Sequence, residues 1–200
     1  MNLAIPAPFA QMHSRENVEY VLRDAQGNLK PIFQENRLGE FLLKKGLVSP
    51  HWINRWYAFA LSPFMGRWSA HKVFRNLVTN AGFAGAAGRL MGSGAPAAFT
   101  YIAVGTGTTA AAVTDTALQT ETTTSGLARA NGTVSLVTTT VTNDTAQVTN
   151  TFSVTGTVAV TESGVLNAAS AGTLLTHQVF SAINVASGDS LQVTWKVQQH

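Results

Sequence analysis

The sequence predicts a mainly β protein. An antiparallel β-sandwich or jelly-roll C-terminal domain is expected over residues 99–200, preceded by an extended, partly helical N-terminal arm over residues 1–98. Three observations carry this. From Thr145 to Glu162 the chain alternates with period two: Val148, Asn150, Phe152, Val154, Gly156, Val158 and Val160 share one face, and mostly Thr and Ser the other. Composition changes sharply near Ala98, because all six prolines and three of the four Trp lie before it and every Thr except Thr79 lies after it. The closing segment alternates cleanly, with Leu191, Val193, Trp195 and Val197 against Gln192, Thr194, Lys196 and Gln198.

The elements of the arm follow in order. Pro6 and Pro8 exclude a helix, so residues 1–17 read as extended chain. Val18, Tyr20 and Leu22 alternate, DAQGN supplies a turn, and Leu29 to Phe33 return with Pro31 marking an edge. Asn36 caps a short helix, RLGEFLLKK, stopped by Gly46. Ser49-Pro50 opens a second helix whose Trp52, Trp56 and Phe59 fall on one face and which Pro63 ends. Ser69 opens a longer helix with Val73, Leu77, Val78 and Ala81 inward. It runs into GFAGAAGRLMGSGAP, too glycine-rich for a stable isolated helix.

The remainder reads as strands. They are Phe99 to Val104, Ala128 to Val141 with a bend at Asn131-Gly132, the long alternating segment with a bulge or bend at Gly156, Leu174 to Val185, and the closing strand. Turns are expected at Thr142–Thr145, at Glu162-Ser163-Gly164 and at Ala186–Asp189.

Composition excludes several functions. Charged residues are only 12% of the chain, with Thr taking over the solvating role, and there is no cysteine for a disulfide or thiolate site. His13, His51, His71, His177 and His200 make no short-spaced pair, so no metal is expected. No apolar run approaches the roughly 20 residues of a membrane span. The start lacks the basic stretch of a signal peptide, so synthesis and assembly in a cytoplasm are expected. Residues 1–98 hold 11 Lys and Arg against 5 acids, or +6, whereas residues 99–200 are at −3. That asymmetry suits an extension meeting an acidic surface, and equally ordinary surface charge.

Chemistry is thinly represented. Gly105, Gly107 and Ala110 in FTYIAVGTGTTAAA match a G-x-G-x-x-A phosphate loop, but Thr-rich strands follow where a Rossmann unit needs alternating helices. Asp115, Glu121, Asp144, Glu162 and Asp189 are the only acids after residue 98, and turn roles account for most of them. A triad drawn through His177 lacks a serine in a nucleophile-like setting. The basic residues are spaced rather than clustered, which disfavours nucleic acid. No cofactor and no enzyme activity are expected.

Two stretches carry a resemblance. YIAVGTGTTAAAVTDTALQTE (Tyr101 to Glu121) and VAVTESGVLNAASAGTLLTHQVFSAINVASGDSLQVTWKV (Val158 to Val197) resemble tailed-bacteriophage virion structural proteins of the capsid decoration or cement type. The pattern rests on Gly105, Gly107, Asp115, Leu118, Glu121, Glu162, Gly164, Gly172, Leu174, Gly188, Asp189 and Trp195. Residues 15–35 resemble the amino-terminal segment of such proteins. The resemblance implies a non-enzymatic virion component with a β-sandwich, whose partner is the major capsid protein or a neighbouring virion protein. It also implies a homo-oligomer such as a trimer, without a membrane. A tail, neck or baseplate adaptor is the alternative, and a host-glycan-binding module a more distant one. Trp52, Arg55, Trp56, Phe59, Phe64, Arg67 and Trp68 are the expected partner-binding anchors of the arm, since Trp and Arg dominate interfaces.

Overall fold

The computed structural model describes residues 15–75 and 77–198. Of the extended chain expected over residues 1–17, only Arg15–Asn17 fall within that range. The chain is mainly β, with antiparallel sheets.

Strand β1 (Arg15–Arg23) turns through Asp24, whose carboxylate accepts the amides of Gln26 and Asn28, while Gly27 supplies the positive φ. Pro31 then divides the return into β2 (Leu29–Lys30) and β3 (Ile32–Glu35). Helix α1 (Arg37–Lys44) starts where expected, with the Asn36 side chain accepting the Leu38 and Gly39 amides, and Gly46 at φ +66° follows its end.

The second expected helix is broken. Pro50–Asn54 forms a 3-10 helix capped by Ser49, and α2 (Ala58–Met65) follows separately. Pro63 lies inside α2 rather than ending it. Proline has no N–H for the Phe59 carbonyl, and the Ser62 hydroxyl donates to that oxygen at 3.3 Å instead. Consequently Trp52, Trp56 and Phe59 do not share a helical face.

Strand β4 (Gly66–Ser69) ends where a long helix is expected from Ser69, and in place of that helix's first part the chain forms two strands, β5 (His71–Arg75) and β6 (Leu77–Val78). Lys72 and Phe74 alternate inward against exposed His71, Val73 and Arg75, a period-two pattern set by pairing of β5 with β1. The glycine-rich stretch is the helix: α3 spans Asn80–Met91. A Cβ on Gly82 would stand 2.2 Å from the Leu175 carbonyl oxygen, so glycine lets α3 lie against the neighbouring backbone. Thr79 caps α3 at Gly82 N and donates to the Leu174 carbonyl, anchoring helix to strand.

Beyond Ala98 run β7 (Tyr101–Gly105), β8 (Ala130–Asn131), β9 (Thr133–Val137), β10 (Thr145–Ser153), β11 (Val158–Leu166), β12 (Leu174–Val185) and β13 (Ser190–Gln198). One sheet has the order β2-β1-β13-β10-β9, with β5 also on β1; a second has β6-β12-β11-β7-β8; β3 and β4 form a separate pair. The change of composition at Ala98 is thus not a boundary between sheets, because β1 pairs β13 along its whole length, from Arg15–Gln198 to Arg23–Ser190. One apolar core draws Val18, Tyr20, Phe74, Phe152, Leu191 and Trp195 from the first sheet and Ile102, Val104, Val160, Phe180 and Ile183 from the second.

Two of the expected strands change sheets midway. The bend at Asn131-Gly132 separates β8, in the second sheet, from β9, in the first. The long alternating segment likewise ends as β10 at Ser153 and resumes as β11 at Val158 across the sheet gap, with Gly156 in the link. Glu162-Ser163-Gly164 is no turn: it lies within β11, fully covered, where a shift in register between Val160 and Glu162 marks a bulge. No side chain after Ala159 in β11 reaches solvent, because the far side of this sheet is covered too. There Ala103, Leu118, Leu166 and Leu174 form a separate apolar cluster.

Candidate functional site

The expected anchors separate into two groups. Trp52 is 0% exposed and packs edge-on against Phe33, with Leu43 and Met65, in a satellite core formed between the 3-10 helix, α1 and α2. Residues 33–65 therefore close a small core of their own, and Trp52 is a structural residue rather than a free anchor. The others face outward: Trp56 is 86% exposed, Phe59 79%, Phe64 69% and Trp68 57%, with Arg55 and Arg67 also exposed. Phe59 and Trp68 border one open depression of about 280 Å3, floored by Trp52, Ile53, Ala58 and Ser62. Trp68 keeps its place through an edge contact with Phe33. Scattered apolar residues on a surface are ordinary; four large aromatics within thirteen residues are not.

The glycine-rich loop after β7 holds a carboxylate of the chain itself. Glu162 is fully buried and reaches into the loop: Oε1 accepts Gly107 N at 3.0 Å and Thr120 N at 2.7 Å, and Oε2 accepts Gln119 N at 3.0 Å. A Cβ on Gly107 would stand 2.6 Å from Oε1, and one on Gly105 2.4 Å from the Thr120 carbonyl oxygen and 2.5 Å from Oε1. The glycines of the apparent phosphate loop are thus required by an internal anion, held by backbone amides much as a phosphate would be. Among the described residues no helix follows the loop.

His177 completes the arrangement. Its Nε2 lies 3.0 Å from Glu162 Oε2 and its Nδ1 2.7 Å from Asp115 Oδ2. Burial works against the charge of both partners. For His177 the hydrogen bonds to Glu162 and Asp115 outweigh it and raise the pKa above the ordinary histidine value. For Glu162 the His177 bond and three backbone amides outweigh it and hold the pKa below the usual carboxylate value. The ring therefore donates from both nitrogens to carboxylates. It has no free nitrogen with which to activate a serine, so no triad assembles on it.

The other motif residues are engaged in the same way. Arg129 forms a forked pair with Glu121 and donates to the Ala168 and Ala171 carbonyls. Asp189 accepts Lys30 Nζ at 2.6 Å and Ala186 N at 2.8 Å, beside Gly188 at φ +90°. Gly164 leaves room for the Leu118 and Leu174 side chains, and Trp195 lies in the main core.

A second buried polar cluster was not anticipated from sequence. Lys72 is 0% exposed; its Nζ donates to Glu35 Oε1 at 3.1 Å, Ser181 Oγ at 2.7 Å and the Ser181 carbonyl at 2.9 Å. Ser181 N also donates to Glu35 Oε1, while Glu35 Oε2 has no partner. Nearby, the buried Tyr20 hydroxyl shares a hydrogen bond with Ser163. In the sequence Lys72 falls in the stretch read as a helix opened by Ser69, where nothing marks it as buried.

Among the described residues no group of three His, Asp or Glu side chains is placed to hold a metal ion, and no helix is long and apolar enough to cross a membrane. Comparison with protein-family models, curated proteins and solved structures finds no match.

Proposed function

We propose that the chain is a non-enzymatic structural protein of a tailed-bacteriophage virion, a capsid cement protein that binds the assembled lattice of the major capsid protein. In this reading the two principal sheets are the halves of a β-sandwich, and the excursion between Asn36 and Ala70 is its docking element. The observation that carries it is the exposed aromatic group Trp56, Phe59, Phe64 and Trp68. Rigid aromatics beside arginines are the side chains that concentrate binding energy once desolvated. The resemblance of residues 101–121 and 158–197 supports the virion setting, and in this chain those motif residues serve the architecture.

The mechanism is burial against a partner that exists only as an assembled lattice. A ligand that binds the assembled shell and not its dispersed subunits stabilises the shell by mass action. Repetition around an oligomer, a trimer for instance, would multiply a modest single-site affinity. The deciding measurement is copy number per purified particle by quantitative mass spectrometry. A ratio near one copy per major capsid subunit supports the cement role. A few to a few tens of copies per particle refutes it and points to the neck, tail or baseplate.

A further inference from the structure

We propose that Lys72 and Glu35 are the two halves of an intramolecular amide crosslink, formed between Lys72 Nζ and the Glu35 side-chain carboxyl carbon. This does not depend on the virion reading. The geometry is that of the reactants. The ammonium nitrogen lies 3.1 Å from Glu35 Oε1, and both side chains are completely shielded from solvent. Phe74 and Phe180 flank the nitrogen, their ring centroids 5.1 and 5.4 Å from it, so the site is lined by apolar surface.

The two carboxylate oxygens are treated differently. Oε1 is held by Ser181 N at 2.9 Å and by Nζ; Oε2 is buried with no hydrogen-bond partner. An ion pair buried with an orphaned oxygen is a poor arrangement energetically. It is a suitable one for condensation. Oε1 becomes the amide oxygen and keeps its bond from Ser181 N, and Oε2 is the atom that leaves. One C–N bond forms and one C–O bond breaks. Of the three ammonium protons, one stays on the amide nitrogen and two depart with Oε2 as water, so the opposite charges cancel and no oxidant or reductant is needed.

The attacking amine must first lose a proton. Burial lowers the Lys72 pKa against the opposing pull of Glu35. The base at hand is the Glu35 carboxylate itself, whose Oε1 already accepts from Nζ at 3.1 Å; transfer of that proton leaves a neutral amine against a neutral carboxyl, while Ser181 Oγ, 2.7 Å from Nζ, holds the nitrogen in place. The remaining amide N–H retains the Ser181 carbonyl as acceptor. Holding amine and carboxyl together in a dry site supplies the high effective concentration that amide formation in water lacks.

The bond would close residues 35–72 into a ring. Inside it lie α1, the 3-10 helix, α2 and β4, which together present the exposed aromatics. Covalent closure would pin the two roots of that excursion to the main core.

The test is the intact mass of the purified protein, with its fold checked by the blue-shifted emission of buried Trp52 and Trp195. The expected result is a mass lower than that of the sequence by one water. Digestion should yield a branched peptide joining Lys72 to Glu35, with no tryptic cut after Lys72. Lys72→Met should restore the sequence mass. A folded wild-type protein at its sequence mass, or a water loss that persists in Lys72→Met, overturns the proposal. Should Lys72→Met fail to fold, the wild-type digest decides alone: unmodified peptides cut after Lys72 refute the crosslink.

Discussion

Replacing Glu162 by Gln keeps the shape of the side chain and removes its charge, which makes the carboxylate cradle measurable. The glutamate offers four acceptor contacts, to Gly107 N, Thr120 N, Gln119 N and His177 Nε2. The amide oxygen of Gln can retain one pair. Its NH2 must then face the other two donors, of which at least one, Gly107 N or His177 Nε2, is buried. Each buried unsatisfied group costs about 1–3 kcal/mol, so Glu162→Gln should lose about 4 kcal/mol. For a chain of this size that is roughly 8–16 °C in Tm.

The pH dependence should change with it. The His177 pKa is raised on folding, so its contribution is fully present below the unfolded value near 6.5 and is lost as pH rises through the folded value. The Glu162 pKa is lowered, so its contribution is present above about 4.5 and is lost as pH falls through the folded value. Together they favour stability between those limits, and Glu162→Gln should flatten the decline on both sides. Urea unfolding followed by Trp fluorescence from about pH 3 to 9, a span that brackets the ordinary carboxylate and histidine values, reads both effects. A loss below about 1 kcal/mol with an unchanged pH profile would refute the account, since that is the size of one ordinary neutral hydrogen bond.

Other substitutions test other parts of the structure. Gly107→Ala places a methyl group against the Glu162 carboxylate and should destabilise by about 3 kcal/mol or more, seen as a lower urea midpoint. Trp52→Ala should cost about 3–5 kcal/mol by emptying the satellite core. By contrast, Trp56→Ala should change unfolding by no more than about 0.5 kcal/mol, because its ring is almost wholly exposed, and under the proposed cement role it should lower particle occupancy on rebinding. Equal loss of folding and attachment in Trp56→Ala would count against a surface anchor. Gly82→Ala should loosen α3 from β12, read as faster exchange of the Thr79 amide and of the amide at position 82.

Local signals survived into the structure wherever a short stretch settles its own conformation. The Asp24 turn, the Asn36 cap and the alternation of Leu191, Val193 and Trp195 were all legible. Errors arose where distant partners decide. Residues 71–75 carry a spacing compatible with a helix, and pairing with β1 makes them a strand. Glu162-Ser163-Gly164 has the composition of a turn, but amides from Gly107 and Thr120 and the ring of His177 satisfy the carboxylate inside a strand. The glycines of α3 counted against a helix because the close approach of Leu175 is invisible in sequence. The aromatic anchors were half legible. Residue type marked the group, but only the break between the 3-10 helix and α2 separates buried Trp52 from exposed Trp56.

The pairing of β1 with β13 has a mechanical consequence. Arg15 lies opposite Gln198, so the outward ends of these two neighbouring strands emerge side by side. Tension applied through those two points would peel the strands apart as a zipper opens, breaking their hydrogen bonds one after another at low force. Tension entering through the aromatic excursion and leaving through the far end of the sheet would instead have to break many of them at once. A molecule built this way resists pulling in some directions far better than in others, and its weakest direction is along its own two exits.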